Sequence, residues 1–319
     1  MIDFNDWLAK YAPHVAPLDL KKFTQFVKNH HEARFGKVSA LPTIAMEKLD
    51  GLCGLVICYE GNLEIFSRTG RIFQNTEHLK HMIKSKVTEY DNYAVCVELC
   101  NDDLELEEIG GVFNPDRVKP VDWNGPNMSG FHLGCYDLLT FDEFVSGSTW
   151  RPYRLRLQSL KKSQFTECMF IPAHELMHTE DSVSTFAKLV IDAGGEGIVR
   201  CLPEAPWVAG HKGTYKTKIV CGVDYDLEVL DIQVGKVGTK REGQMTNVVV
   251  RWRNWKTQEL VLLPVDGCFT DVQRKAFFED ESLIIGKIVH IHALKLGSKG
   301  SLRLPKVKAI RIDKTEADV

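Results

Sequence analysis

Lys48-Leu49-Asp50-Gly51 is the segment whose residue types and spacing speak most directly of chemistry. It lies between a short apolar run at 42–46 and a longer one starting at Leu52, which puts the lysine at a strand end. A lysine amine is a nucleophile only after losing its proton. Its ordinary pKa near 10.4 must therefore be met by nearby positive charge and partial removal from water. For Lys48 taken alone, the alternative is a surface lysine closing a strand. A second pattern, His174-Glu175-Leu176-Met177-His178, spells the helical zinc-protease motif. That chemistry needs both imidazoles one helical turn apart on one face, plus a third ligand. Here 168–172 reads as a strand and a helix start follows at 179–182, so the histidines are expected on a loop. No G-x-x-x-x-G-K-[ST] loop occurs, and no G-x-G-x-x-G turn follows a strand, which argues against a P-loop and a Rossmann cofactor.

The elements that must position Lys48 follow from periodicity. Residues 1–35 read as short helices with Leu18, Phe23, Phe26 and Val27 as apolar points. Residues 52–59 run through Glu60-Gly61-Asn62 and return as 63–67, a hairpin. Another strand covers 131–139. A helix covers 181–193, capped by Asp181 or Ser182, with Val183, Phe186, Ala187, Val190 and Ile191 on one stripe and Gly194-Gly195 after it. Beyond Lys218 the texture changes to short strands at 223–234, 248–252, 259–263, 287–292 and 303–312, interrupted by a helix at 271–278. Five strands and one helix are the content of an OB-type barrel, and the boundary falls near 218–222.

Composition narrows the function classes. A chain of 319 residues with 44% apolar and 26% charged residues is globular, with two domains or one large one. Nothing approaches 18 uncharged apolar residues, so no span is expected, and the acids in Met1-Ile2-Asp3-Phe4-Asn5-Asp6 argue against a secretory leader. The nine cysteines form no C-x-x-C pair, which fits reduced thiols in the cytoplasm. The net charge of −3 hides a basic tail. Across 286–314, Lys287, Lys295, Lys299, Arg303, Lys306, Lys308, Arg311 and Lys314 stand against one acid, Asp313. Such a run is a polyanion footprint, the alternative being a solvated charged tail.

Further segments follow Lys48 in an order that resembles the covalent nucleotidyltransferases: ATP-dependent DNA ligases, RNA ligases and mRNA-capping enzymes. Lys48-Leu49-Asp50-Gly51 is similar to their nucleophile motif, and Ser67-Arg68-Thr69-Gly70 to the motif on the hairpin's return strand. Val97-Glu98-Leu99 resembles the strand with the ribose-binding glutamate, and Tyr136-Asp137 the element whose ring stacks on adenine. Glu196-Gly197-Ile198-Val199 is similar to the metal-binding glutamate motif, and Tyr215-Lys216-Thr217-Lys218 to the two-lysine strand ending the catalytic domain. Arg303-Leu304-Pro305 and Arg311-Ile312-Asp313-Lys314 resemble the signature of the ligase OB domain. The resemblance spans about 40–314.

The fold it implies is α+β: a nucleotidyltransferase (adenylation) domain of antiparallel sheets with helices over 40–218, then an all-β OB-fold barrel over 219–319. Residues 1–39 are expected as a helical extension. The implied activity is that of a compact ATP-dependent DNA ligase using Mg²⁺ or Mn²⁺, monomeric, acting on a nicked duplex, most similar to viral or bacterial types. Lys48 would be the nucleophile, with Asp50, Lys216 and Lys218 as catalytic partners. Arg68, Glu98, Tyr136, Glu196, Lys216, Lys218, Arg303, Arg311 and Lys314 would hold the nucleotide, and Glu196 and Glu98 the metal. Lys216, Lys218 and the metal would supply the positive field at Lys48. Domain closure would bring Arg303, Arg311 and Lys314 over the triphosphate. Arg68, Arg251, Arg253, Lys295 and Lys299 would touch DNA. Alternation puts Arg251 and Arg253 opposite Trp252, which is expected in the core. For Glu98 and Tyr136 the alternatives are a strand-surface acid and a core ring.

The pattern departs from the family at Cys53, where DNA ligases usually place an arginine, and at Tyr215, where a tryptophan is usual. A thiol cannot make arginine's bidentate contact. Cys53 and the Glu47-Lys48 pair leave an RNA or mixed-strand ligase as the alternative. A capping guanylyltransferase and a non-catalytic OB nucleic-acid-binding protein lie further away.

Overall fold

A computed structural model describes residues 3–19, 23–25, 27–29, 40–84, 92–119, 121–124, 130–163, 167–211, 215–297 and 299–318. The chain divides into two compact units, 1–220 and 221–319. Both are built mainly of sheet, with helices packed against it, and the whole is mixed α+β. No described helix is long and apolar enough to cross a membrane.

The first unit opens with α1 (Phe4–Tyr11), β1 (Lys28–Asn29), β2 (Thr43–Glu47), β3 (Leu52–Tyr59) and β4 (Asn62–Ser67). Next come α2 (Glu77–Lys84), β5 (Tyr93–Cys100), α3 (Leu106–Phe113), β6 (His132–Thr140) and α4 (Phe141–Val145). They are followed by β7 (Ser148–Thr149), α5 (Tyr153–Lys162), β8 (Met169–Phe170), β9 (His174–Met177) and α6 (Glu180–Asp192). The unit closes with β10 (Gly197–Cys201), β11 (Trp207–Val208) and β12 (Lys216–Val220). Two five-stranded sheets result, in the orders β4-β3-β5-β6-β8 and β1-β12-β10-β2-β9.

The unbroken apolar run in β3 has a physical reason: its sheet is covered on both faces. Val56 and Cys58 face one cluster, with Val95, Val97, Leu133 and helix residues Leu79, Phe113 and Leu157. Ile44, Met46 and Cys201 of the other sheet join that cluster, so the two sheets share a core. Leu55 and Ile57 face the opposite cluster, with Phe66, Phe141, Phe144 and Phe4, Trp7 and Leu8 of α1. Each such side chain, once buried, contributes about 1.5–3 kcal/mol, which is what docks so short a helix as α1. The β3–β4 turn has φ of 46° at Glu60 and 76° at Gly61, the two-residue geometry matched to strand twist.

Several expectations need correction here. Among the described residues of 1–35, α1 is the one helix; Phe26 lies outside them. Pro13 and Pro17 deprive the chain of donors after Tyr11, and Asn5 instead clamps the strap by bonding both the N–H (2.8 Å) and the carbonyl (3.1 Å) of Leu18. Thr179, not Asp181 or Ser182, caps α6, its hydroxyl accepting from the Ser182 N–H at 3.1 Å. His174 lies in strand β9 rather than on a loop, paired opposite Met46 of β2. His178 lies just past the end of β9, and four residues of extended chain span about 13 Å, so the histidines do not form the one-turn pair that zinc would need.

The second unit contains β13 (Val223–Val234), β14 (Met245–Arg253), β15 (Leu260–Gly267), α7 (Asp271–Glu279) and a 3-10 turn at Glu281–Leu283. It ends with β16 (Ile288–Ala293), β17 (Lys295–Leu296), β18 (Leu302–Arg303) and β19 (Lys306–Arg311). Pairing runs β13-β14-β15-β19-β16 and returns to β13, closing a ring of five strands. The long β13 serves both neighbours through register shifts after Val229. The strand expected over 303–312 is broken at Leu304-Pro305, where Leu304 has φ of 50° and proline has no donor. Trp252 is a core residue, as its alternation implied: 2% exposed, with its indole N–H donating to the Gly300 carbonyl at 2.9 Å.

Candidate active site

Lys48 follows the last residue of β2, and Glu196 precedes the first residue of β10. The antiparallel register of those strands, Glu47 opposite Ile198, brings the two together. Lys48 Nζ lies 2.5 Å from Glu196 Oε2, and its backbone N–H donates to the Gly197 carbonyl at 2.8 Å. Gly197 is required here. Its φ is +138°, and a Cβ would lie 2.2 Å from the Ile219 carbonyl oxygen of β12. The Lys48 side chain is 21% exposed and that of Glu196 7%, so the pair lies in the wall of the unit rather than on its surface.

The two sheets meet around a cavity of about 250 Å³ lined by Lys48, Cys53, Arg68, Glu98, Tyr136 and Lys216, with Thr24, Gln25 and others. Glu98 of β5 stands directly across the ladder from Cys53 of β3. Burial pushes the Glu98 carboxyl up to about 7; Lys48 opposes the shift, while Glu196 and Asp50 add to it. Cys53 fills the usual arginine position with a thiol 3.3 Å from the Tyr136 hydroxyl and 3.8 Å from Thr24 Oγ1. Burial, reinforced by Glu98, pushes that thiol's pKa up, so Cys53 supplies bulk and weak hydrogen bonds rather than charge.

Behind the cavity lies a charged group that joins two motif residues, Asp137 and Lys216, to Arg156, which the sequence did not single out. Asp137 and Arg156 are both fully buried, joined by bonds of 2.7 and 3.1 Å, and Lys216 Nζ lies 3.3 Å from the same carboxylate. Burial works against the charge on Asp137, but Lys216 and Arg156 outweigh it and hold its carboxyl below the usual range. The Lys216 ammonium also lies 5.4 Å from the Tyr136 ring centre and 4.9 Å from that of Tyr153. Lys216 thus reaches the cavity from an anchored position. The Tyr153 hydroxyl donates to the Tyr136 carbonyl at 3.0 Å. No local signal marks Arg156 or Tyr153, since α5 reads as an ordinary amphipathic helix; the cue would have been Asp137, a charged residue inside an apolar strand.

Other expected residues fall as follows. Asp50 lies in the link from Lys48 to β3 and contributes to the Glu98 shift. Lys218 is two residues along β12 from Lys216, hence on the same face, paired opposite Val199. Arg68 is exposed at the rim of the cavity. In the second unit, Arg303 and Lys295 are direct cross-strand partners. Arg311 and Lys314 converge on Asp226 at 2.6 and 2.9 Å, while Lys314 also reaches Asp318 at 2.7 Å. Arg251 pairs with Glu228 at 3.3 Å, and Arg253 donates to the Gln258 carbonyl at 3.2 Å. Lys299 is exposed.

The donor set suits a hard divalent cation. Glu196 is close enough to Glu98 to disfavour the charge on Glu98, and Mg²⁺ takes one or two carboxylates together with phosphate oxygens. Among the described residues no three His, Cys, Asp or Glu side chains form an ion cage by themselves.

No protein-family model matches the sequence, and no curated protein matches it. Solved structures do match. A structure titled Pmar-Lig_PreS3 superposes with a TM-score of 0.75 at 19% identity, covering 96% of this chain and 71% of its own. A structure from a study of DNA binding with a minimal scaffold in Lig E DNA ligases gives 0.66 at 15% identity, over 92% of this chain and 100% of its own. The ATP-dependent DNA ligase of bacteriophage T7, in complex with ATP, gives 0.52 at 16% identity, over 92% and 100%. The chain has the fold of solved ATP-dependent DNA ligases.

Proposed function

We propose that the protein is an ATP-dependent DNA ligase that seals nicks with a 5′-phosphate and a 3′-OH, with residues up to about 218 as the adenylation domain and the rest as an OB-type domain. The observation that carries this reading is Lys48 Nζ, 2.5 Å from Glu196, in a cavity it shares with Glu98, Tyr136 and Lys216. The shared fold supports it.

In the first step, Lys48 Nζ attacks the α-phosphorus of ATP. An N–P bond forms, the P–O bond to the β-phosphate breaks, and pyrophosphate leaves. The ammonium must give up one proton to become nucleophilic, and Glu196 Oε2 is an acceptor in position; a second proton leaves as the phosphoramidate forms. The AMP then passes to a 5′-phosphate, breaking the N–P bond and forming a pyrophosphate link. Attack by the 3′-OH closes the strand and releases AMP. Tyr136 offers its ring face to the base, Glu98 accepts from ribose hydroxyls, and Lys216 and Lys218 face the phosphates. Glu196 and Glu98 would hold Mg²⁺, which when bound neutralises charge on the triphosphate. Arg303, Arg311 and Lys314 are assigned to the nucleotide, and Arg68, Arg251, Arg253, Lys295 and Lys299 to DNA.

The test is mass spectrometry of the intact protein after incubation with ATP and Mg²⁺. One added AMP is expected, and Lys48→Ala should remove it. No adduct, or one formed only from GTP, would refute the reading. A panel of nicked duplexes with DNA or RNA on each side then identifies the strand; sealing confined to RNA would replace DNA as the substrate.

A further inference from the structure

Arg311 and Lys314 belong to a run of bases with one acid in it, yet in the fold two carboxylates from outside that run reach them. Asp226 of β13 contributes Oδ2, 2.6 Å from Arg311 and 2.9 Å from Lys314. Asp318, beyond β19, contributes Oδ1, which accepts from Lys314 Nζ at 2.7 Å. Within the run, Asp313 takes Arg311 Nε and Nη2 at 2.9 and 2.8 Å. Three carboxylates thus face the two cations, which leaves no surplus positive charge for a phosphate.

The two outside acids are held differently. Asp226 stands in the β13–β16 ladder opposite His290, with its side chain 9% exposed and its Oδ1 3.0 Å from His290 Nδ1. Asp318 belongs to no helix or strand. Three bonds tie it down: the Lys314 contact, its N–H donating to the Asp226 carbonyl at 2.8 Å, and its Oδ2 accepting from the Asp226 N–H at 2.6 Å. Lys314 holds the Asp318 carboxyl below its usual range. All three contacts are polar and the side chain is 40% exposed, so this acid can leave while the ring stays folded.

We propose that Asp318 is a built-in competitor for the phosphates of the nucleotide: it occupies Lys314 in the resting chain and must be displaced before that lysine can serve a triphosphate. This rests on the reading that Arg311 and Lys314 bind ATP. A carboxylate offers the ammonium the same kind of charged acceptor oxygens as a phosphate, with less charge behind them. ATP therefore wins the exchange, but only at a higher concentration than it would need without Asp318.

The rate of AMP attachment to the full chain, read by intact mass at ATP well below saturation, tests this. Asp318→Asn keeps the shape and removes the charge. It should raise that rate about two- to fivefold, the range expected for one partly exposed ion pair. The ratio to wild type should shrink at high salt, which screens exposed charges, and Asp318→Glu should restore the wild-type rate. In Lys314→Ala protein, itself slow, adding Asp318→Asn should change nothing, because the acid acts through that lysine. An unchanged or lower rate in Asp318→Asn, with its fold checked by a melting curve, overturns the competitor role. So does an equal gain in the Lys314→Ala background. Wild-type protein that forms no adduct refutes the ligase reading itself, and Lys314→Ala protein that adenylates at the wild-type rate refutes the assignment of Lys314 to the nucleotide.

Discussion

Replacing Asp137 by Asn tests the charged group behind the cavity without changing its shape. Two cations, Arg156 and Lys216, depend on this one carboxylate, and all three side chains are at most 6% exposed. Solvent therefore screens little. Removing one partner of a buried pair costs about 3–5 kcal/mol, because the other charge stays buried. The asparagine oxygen can still accept one bond, and Arg156 keeps the Arg151 and Ala205 carbonyls, which places the loss at about 3 kcal/mol. At about 2–4 °C per kcal/mol for a unit of this size, the first unit should melt roughly 6–12 °C lower at pH 7. Calorimetry reads this directly, with the transitions of the two units fitted separately. The pH dependence supplies a second check. The Asp137 carboxyl is held below its ordinary value in the fold. Its contribution is thus present above the unfolded carboxylate range and lost as pH falls through the folded pKa. The gap between wild type and Asp137→Asn should be full at pH 7 and narrow below about pH 4. A drop under about 2 °C at pH 7, or a gap that stays constant into acid, would refute the reasoning.

Two further variants probe other parts of the molecule. Gly197→Ala should cost the first unit about 2–4 kcal/mol in a thermal melt and abolish the AMP adduct, because its methyl would strike the Ile219 carbonyl and displace residue 197, whose own carbonyl accepts the Lys48 N–H; a melt within a degree of wild type would contradict this. Neutralising Lys295 and Lys299 together should weaken binding to a nicked duplex almost independently of sequence and lower the salt slope by about one to two. Titrations at several salt concentrations decide it, and an unchanged slope with intact affinity would make the basic run a solvated face.

Local pattern carried much of the fold. The β3–β4 hairpin, β6, α6, α7 and most strands of the ring were legible because each has a period and a turn or stop signal of its own. The misreadings occur where tertiary contacts overrule propensity. The stretch after α1 has apolar points at helical spacing, yet its prolines and the Asn5–Leu18 clamp hold it as a strap. Strands β17 and β18, two residues each, are too short to show a period, and the sequence between them is mostly Gly and Ser. Around the cavity, Lys48, Arg68, Glu98, Tyr136 and Lys216 stand in ordered motifs, whereas Tyr153, and Arg156 behind it, do not. Each of these two is held by a partner from another element, Arg156 by Asp137 and Tyr153 by the Tyr136 carbonyl, and no spacing rule reports such a pair.

The placement of charge also revises how Lys48 could be activated. The expectation gave Lys216, Lys218 and a metal at Glu196 the task of supplying positive field at the nucleophile. The Lys216 ammonium is paired with Asp137, which Arg156 also holds, so much of its charge is balanced on the spot. Nearer to Lys48 stand carboxylates: Glu196 in direct contact, with Glu98 and Asp50 close enough to feel one another. On the proposed reading, a cavity with that balance would disfavour a bare triphosphate and favour one that arrives with a cation. The raised Glu98 carboxyl carries the same implication, because a group kept from ionising by burial and neighbouring acids becomes a good ligand once a divalent charge offsets both. Selectivity for the metal-bound nucleotide would then be set by the carboxylates around Lys48, and the anchored Lys216 would act chiefly by fixing the position of the Tyr136 ring and of the phosphates beside it.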